Sequence, residues 1–233
     1  MNNDIYEKLY TIAKKRRAIK IYDETKDIST DDLYKIFKFT NSSPSSMGIE
    51  AWRVLNIKRG NLKKEISNVF ESYNIQRVDQ ASVISIFIVK KEEWFNPNNS
   101  ILFERLKRKL NVIQPKIDEN KIKEMVLNSL KHIQETYVEN NKIDATEWAK
   151  KQSYIAMGYM MLAAQSLNIS TTPIEGFKEE LLNEFLLNKN LIDENETTSV
   201  AVAMGYSDSE KNEPIIGKEQ IRIDVDDQFK IIE

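Results

Sequence analysis

Three cations lie close together where a helical pattern gives way to extended chain: Arg16, Arg17 and Lys20. An arginine offers phosphate a planar fork of N–H donors and a lysine offers a mobile point charge, so the cluster fits an anion site. It equally fits a solvated basic helix end, whose charges complement the helix dipole. Lys218 and Arg222 are four residues apart on a segment that reads as a strand, so they share a face and could join such a site. Pairing with Asp224, Asp226 and Asp227 is the alternative. Two turns hold the other polar candidates. Pro44-Ser45-Ser46 offers hydroxyls and backbone N–H groups, and Glu175-Gly176 sits in a tight bend; both are also common turn chemistry.

What is missing narrows the reaction class. The 233-residue chain has no cysteine, which excludes disulfides, zinc–thiolate sites and thiol catalysis. Its one histidine, His132, lies between Lys131 and Ile133 in a helical stretch and reads as a surface residue, so neither a histidine-rich metal centre nor a Ser-His-Asp triad is expected. Six glycines form no phosphate-cradling motif. A net charge of −2 provides no bulk basic surface for nucleic acid. The longest apolar run, residues 154–164, is about half the roughly 20 residues of a membrane span. With no apolar signal core after Met1, the expectation is a cytoplasmic protein that binds no membrane and no metal.

The element that must position these groups covers residues 144–177. Asp144 followed by Glu147 has the form of a capping box. The helix it opens is apolar or small on nearly every side from 154 to 164, so its own domain or a partner must enclose it. A short extended segment then delivers the Glu175-Gly176 turn. Around this hub, helical spacing marks residues 3–17, a second helix opened by Ser29, and residues 62–73. Residues 52–58 are strand-like, and 81–89 form a continuous apolar strand of the kind covered on both faces. Two charge-rich helical segments, 101–110 and 116–140, flank Pro115 in an excursion over 94–141. A helix at 179–187, a strand at 198–206 and a half-covered strand at 218–225 complete a single-domain α+β pattern over 1–233.

Arg16-Arg17-Ala18-Ile19-Lys20-Ile21-Tyr22, Pro44-Ser45-Ser46 and Trp52, followed by Glu147-Trp148, Lys151-Gln152, Pro173-Ile174-Glu175-Gly176-Phe177 and Gly205-Tyr206, resemble the nitroreductase family in order and spacing. The branch most like it is that of oxygen-insensitive NAD(P)H nitroreductases and dihydropteridine reductases. The resemblance implies a central mixed, mostly antiparallel sheet flanked by helices, in an intertwined homodimer with C-terminal strand exchange. It also implies bound FMN, with Arg16 and Lys218 at the phosphate. Lys20, Arg77 and Asn74 fall beside the flavin pyrimidine edge. Pro44, Ser45 and Ser46 match a loop that reaches the flavin from the other subunit, and Glu175-Gly176 match a turn whose backbone N–H faces flavin N5. Arg17, Ala18, Gly48, Ile174, Gln220 and Arg222 complete the implied cofactor contacts. Ala18 stands where a relative has a hydroxyl, Gly48 and Glu50 replace Asn and Gln, Ala51 replaces proline, and Gln220 replaces an arginine whose charge Arg222 is expected to supply in part.

The activity implied is hydride transfer from NADH or NADPH through flavin N5 to nitroaromatics, quinones or similar flat acceptors, in alternating half-reactions. No side chain need act as nucleophile; Lys20, Arg77 and Glu175 support the flavin. Other flavin chemistry on the same fold, dehalogenation or flavin fragmentation, is one alternative. Flavin binding without turnover is the other.

Overall fold

In the computed structural model, which describes residues 3–95, 99–113, 117–140, 144–216, 218 and 220–232, the chain begins with α1 (Asn3–Lys15), α2 (Thr30–Asn41), β1 (Trp52–Lys58), α3 (Asn61–Ser67), α4 (Ser72–Gln80) and β2 (Val83–Lys90). It continues through α5 (Ser100–Ile113), α6 (Glu119–His132), α7 (Ala145–Ser166), β3 (Ser170–Ile174), α8 (Glu179–Asn188), β4 (Glu196–Gly205), α9 (Ser209–Ile216) and α10 (Val225–Gln228). Pro115 and Lys116, at the expected break between helices, and Asn141, at the expected end of the excursion, lie outside the described residues.

The strands form one sheet in the order β1-β2-β4-β3, antiparallel at every junction. The sheet is thus wholly antiparallel, and the mixed character that the resemblance implies is limited to an isolated parallel bridge between Ala18 and Thr171, outside these strands. The strand with no polar face is central, and both its faces are covered. Ile84, Ile86 and Ile88 pack with Ala201 and Ala203 against Ile66 of α3, Val78 of α4 and Leu182 and Leu186 of α8. Val83 and Phe87 pack with Val200, Val202 and Met204 against α2 and α7 on the other side. This alternation follows from the two-residue period of a strand, and each such side chain contributes roughly 1.5–3 kcal/mol on burial. Pro173 is tolerated because β3 is an edge strand.

Local chemistry fixes the helix starts. The Ser29 hydroxyl accepts the Asp32 N–H at 3.1 Å to open α2. Asp144 accepts the Glu147 N–H at 2.8 Å to open α7, while the Glu147 carboxylate pairs with Lys150 instead of closing the box. One face of α7, with Trp148, Ala149, Gln152, Ala156 and Met160, is buried. The opposite face leaves Tyr154 37% and Ile155 41% exposed, so the single chain encloses the hub on one side only. A third apolar cluster joins α5 and α6 to the start of α7 through Leu102, Leu106, Ile122, Val126 and Trp148, with Ile49 and Ala51 from the loop before β1.

Two expectations are corrected. The helix expected over 62–73 is broken into α3 and α4, because Phe70 bridges to Phe177 and the Glu71 N–H donates to the Gly176 carbonyl at 2.9 Å. The strand expected at 218–225 does not form among its described residues. That tail runs exposed into the short helix α10, since no strand lies beside it among the described residues of its own chain. Helix α9 was not foreseen.

Candidate functional site

The chain leaving α1 is pinned along β3. Ala18 bridges to Thr171, the Thr172 hydroxyl donates to the Ile19 carbonyl at 2.7 Å, and the buried Tyr22 hydroxyl donates to the Ala203 carbonyl at 3.0 Å. Ala18 therefore serves through its backbone. Asn212 of α9, fully buried, accepts the Lys20 N–H at 3.1 Å and donates to the Ile21 carbonyl at 2.6 Å. Sequence reasoning missed Asn212, because an asparagine in a polar segment carries no local signal for a partner some 190 positions away.

Arg16, half-buried, has its Nη1 fully enclosed and without a hydrogen-bond partner. Burial first, then the charges of Arg222 and Arg17, pull its guanidinium below the ordinary arginine value. A crowded, desolvated cation with a spare donor is a group whose charge an anionic partner would stabilise. The neighbouring predicted residues are committed to backbone carbonyls in different ways. Arg17 commits its guanidinium to the carbonyls of Lys14, Arg16 and Lys218. Gln220 donates to the carbonyls of Ala13 and Arg16, the latter at 2.7 Å, so it clamps the backbone that carries Arg16. Lys218 is exposed and offers its carbonyl to Arg17.

Next along the same segment is Lys20. Burial, and then the charge of Arg77, lower its pKa. Arg77 donates to the Asn74 side-chain oxygen, and Asn74, buried, donates to the Gly176 carbonyl at 3.1 Å. Helix α4 thus joins two predicted residues to the predicted turn. Gly176 leaves space for its neighbours: a Cβ there would lie 2.5 Å from both Asn74 Nδ2 and Tyr73 Oη and would displace them. Ile174, buried, ends β3 just before the turn. The Glu175 carboxylate accepts the Tyr154 hydroxyl at 2.6 Å, a contact from the exposed face of α7 that the sequence did not reveal.

The loop holding Pro44, Ser45, Ser46 and Gly48 stands apart from that group. Its Ser46 N–H donates to the Gln152 side chain of α7 at 2.9 Å, and Ser45 Oγ accepts the Glu50 N–H at 3.1 Å. Gln152 and Tyr154 are two residues apart on one helix, hence turned by about 200° from each other. The loop and the Glu175-Gly176 turn therefore sit on opposite sides of α7 in one chain. Among the described residues no cluster of His, Cys, Asp and Glu could hold a metal ion, and no helix is long and apolar enough to cross a membrane.

A four-stranded antiparallel sheet between helical layers, with a strip of cations and one glycine turn along its β3 edge, defines an α+β protein whose polar groups gather at that edge. The Nitroreductase family model matches residues 13–206. A Staphylococcus saprophyticus protein provisionally named an NAD(P)H nitroreductase is 30% identical over 202 residues, covering 86% of this chain and 88% of that one. A nitroreductase family protein from Streptococcus pneumoniae superposes with a TM-score of 0.72 at 17% identity, covering 96% and 99% of the two chains. A provisionally named nitroreductase from Exiguobacterium sibiricum, solved in complex with FMN, has a TM-score of 0.69 at 18% identity and covers 96% and 97%. The chain belongs to the nitroreductase family, a family of oxidoreductases.

Proposed function

We propose that the protein is an FMN-dependent oxidoreductase that passes a hydride from NADH or NADPH to flat acceptors such as nitroaromatics or quinones, donor and acceptor using the site in turn. The observation that carries the reading is the enclosed, unpartnered Nη1 of Arg16, on the segment whose Lys20 feels the charge of Arg77 on α4, the helix that also bonds the Gly176 turn through Asn74. When bound, FMN supplies the ring that takes up and gives up the hydride. Arg16, helped by the charge of Arg222 and by exposed Lys218, would hold the phosphate. Lys20 and Arg77 would face the pyrimidine edge, where two positive charges favour a ligand that has gained electrons. The absent Cβ at Gly176 keeps the turn's backbone open to close approach.

The whole chain acts as one domain, with residues 94–141 as a helical excursion beside the site. Two copies are needed, because the loop at 44–48 faces away from the cation strip of its own chain and would serve the strip of the second. The purified protein should be yellow and should bleach with NADH or NADPH, then recover colour on adding a quinone. Arg16→Ala should weaken FMN binding roughly tenfold or more, the loss of a charge-assisted contact. A colourless protein that takes up no added FMN sinks this reading.

A further inference from the structure

The loop before β1 is held from the side of the excursion by two cations that no family motif in the sequence accounts for. Met47 (φ 51°), Gly48 (φ 61°) and Glu50 (φ 50°) are all left-handed. Only glycine adopts that conformation freely, so Met47 and Glu50 need support from outside the loop. Helix α5 supplies it. Arg105 Nη1 donates to the carbonyls of Ile49 at 3.0 Å and Glu50 at 2.8 Å. Lys109 Nζ donates to the Gly48 carbonyl and pairs with the Glu50 carboxylate at 2.7 Å. The two cations are four residues apart and share one helix face. Between them Leu106 is buried in the same apolar cluster as Ile49, so charge and packing seat the loop on the same surface of α5.

We infer that Arg105 and Lys109 are positioning residues: together they lock residues 46–50 in the one conformation that presents this loop to the flavin site of the second copy. The inference rests on the functional reading above and explains two departures of the loop. Glu50 supplies a carboxylate to Lys109 that a glutamine would not. Gly48 leaves room for the lysine head, because a Cβ at Gly48 would come within 3.0 Å of Lys109 Nζ.

The test compares Lys109→Met, Lys109→Arg and Glu50→Gln in the full-length protein. Amide hydrogen exchange of Gly48, Ile49 and Glu50, measured without FMN, reads the lock alone. Exchange should rise at least about tenfold in Lys109→Met, rise less in Glu50→Gln, and return towards wild type in Lys109→Arg. Unchanged exchange in Lys109→Met overturns the lock whether or not the protein binds flavin. In the FMN-loaded protein, Lys109→Met should raise the KM for a benzoquinone or the FMN dissociation constant by about tenfold, with the rate of flavin reduction by NADPH little changed and with rescue by arginine. A loosened loop with unaltered FMN affinity and unaltered KM would leave Lys109 as a staple of the fold and defeat the positioning role. Failure of the wild-type protein to bind FMN would instead defeat the functional reading, with the exchange result standing by itself.

Discussion

At the scale of single residues, Glu175 and Gly176 are adjacent yet answer to different constraints. The Glu175 carboxylate is exposed and needs only to accept the Tyr154 hydroxyl. A glutamine accepts the same bond, so Glu175→Gln should change FMN affinity by no more than about twofold, within the scatter of an exposed hydrogen bond. Gly176→Val forces a side chain into Asn74 and Tyr73, and overpacking of that kind costs roughly 1–3 kcal/mol before any ligand clash is added. FMN titration should therefore show a loss of tenfold or more for the valine variant. A severe Glu175→Gln beside a mild Gly176→Val would reverse this account of the turn. Residue type made Arg16 and Lys20 visible as candidates and the family resemblance added Asn74 and Arg77; the structure links Lys20, Arg77 and Asn74 in turn. Type did not reveal that Arg17 and Gln220 spend their donors on carbonyls, nor that Asn212 and Tyr154 support the strip. The Arg17–Lys218, Gln220–Arg16 and Asn212–Lys20 contacts span some 190 to 200 positions, which no local pattern encodes.

Among the elements, one carboxylate ties the two central strands and β1 together at one end of the sheet. Glu196, 2% exposed at the start of β4, receives Arg53 of β1 at 2.6 Å and Lys90 of β2 at 2.8 Å, and accepts the Asp193 N–H at 3.1 Å. Burial by itself would raise its pKa. The Arg53 and Lys90 contacts and the Asp193 N–H outweigh burial and bring it to about 2, against 4.5 when free. A folded pKa below the unfolded one means stability that is fully present above pH 4.5 and is lost as pH falls towards 2. The size is about 3 kcal/mol, from the width of that window. Urea melts of Glu196→Gln should lie below wild type by that order at pH 7, and the gap should narrow between pH 4.5 and pH 2. A gap independent of pH would remove the linkage. The strands and capped helices were legible because their signals are local: the apolar run of β2, Ser29 before α2, Asp144 before α7. The break between α3 and α4 was not, because the Gly176 carbonyl imposes it from a hundred residues downstream. The tail misled for the opposite reason, its alternating Ile221, Ile223 and Val225 promising a strand that has no neighbour within one chain.

That unmet pattern is best understood for the whole molecule. A monomeric protein of 27.2 kDa exposes roughly 10,900 Å², whereas this chain exposes 14367 Å². The excess, roughly 3,500 Å² per chain or about 7,000 Å² for two, reaches the upper end of what obligate dimers bury in total. It is also apolar in particular places: Ile5, Tyr6, Leu9 and Tyr10 on α1, Tyr34 and Phe39 on α2, Tyr154 and Ile155 on α7, and Ile221, Phe229, Ile231 and Ile232 in the tail. A second copy would cover the helix faces, and the tail, once seated along that copy, would gain the strand partner its alternation calls for. The open edge of β1 is one place in the sheet where such a strand can pair. Light scattering should give twice 27.2 kDa for the full chain. A chain ending at Ile216 loses the exposed tail residues together with Lys218 and Arg222, so it should dissociate at higher concentration and bind FMN more weakly. A full-length monomer with tight FMN binding would overturn the dimer, because in one chain the loop at 44–48 and the Glu175-Gly176 turn are held by different faces of α7.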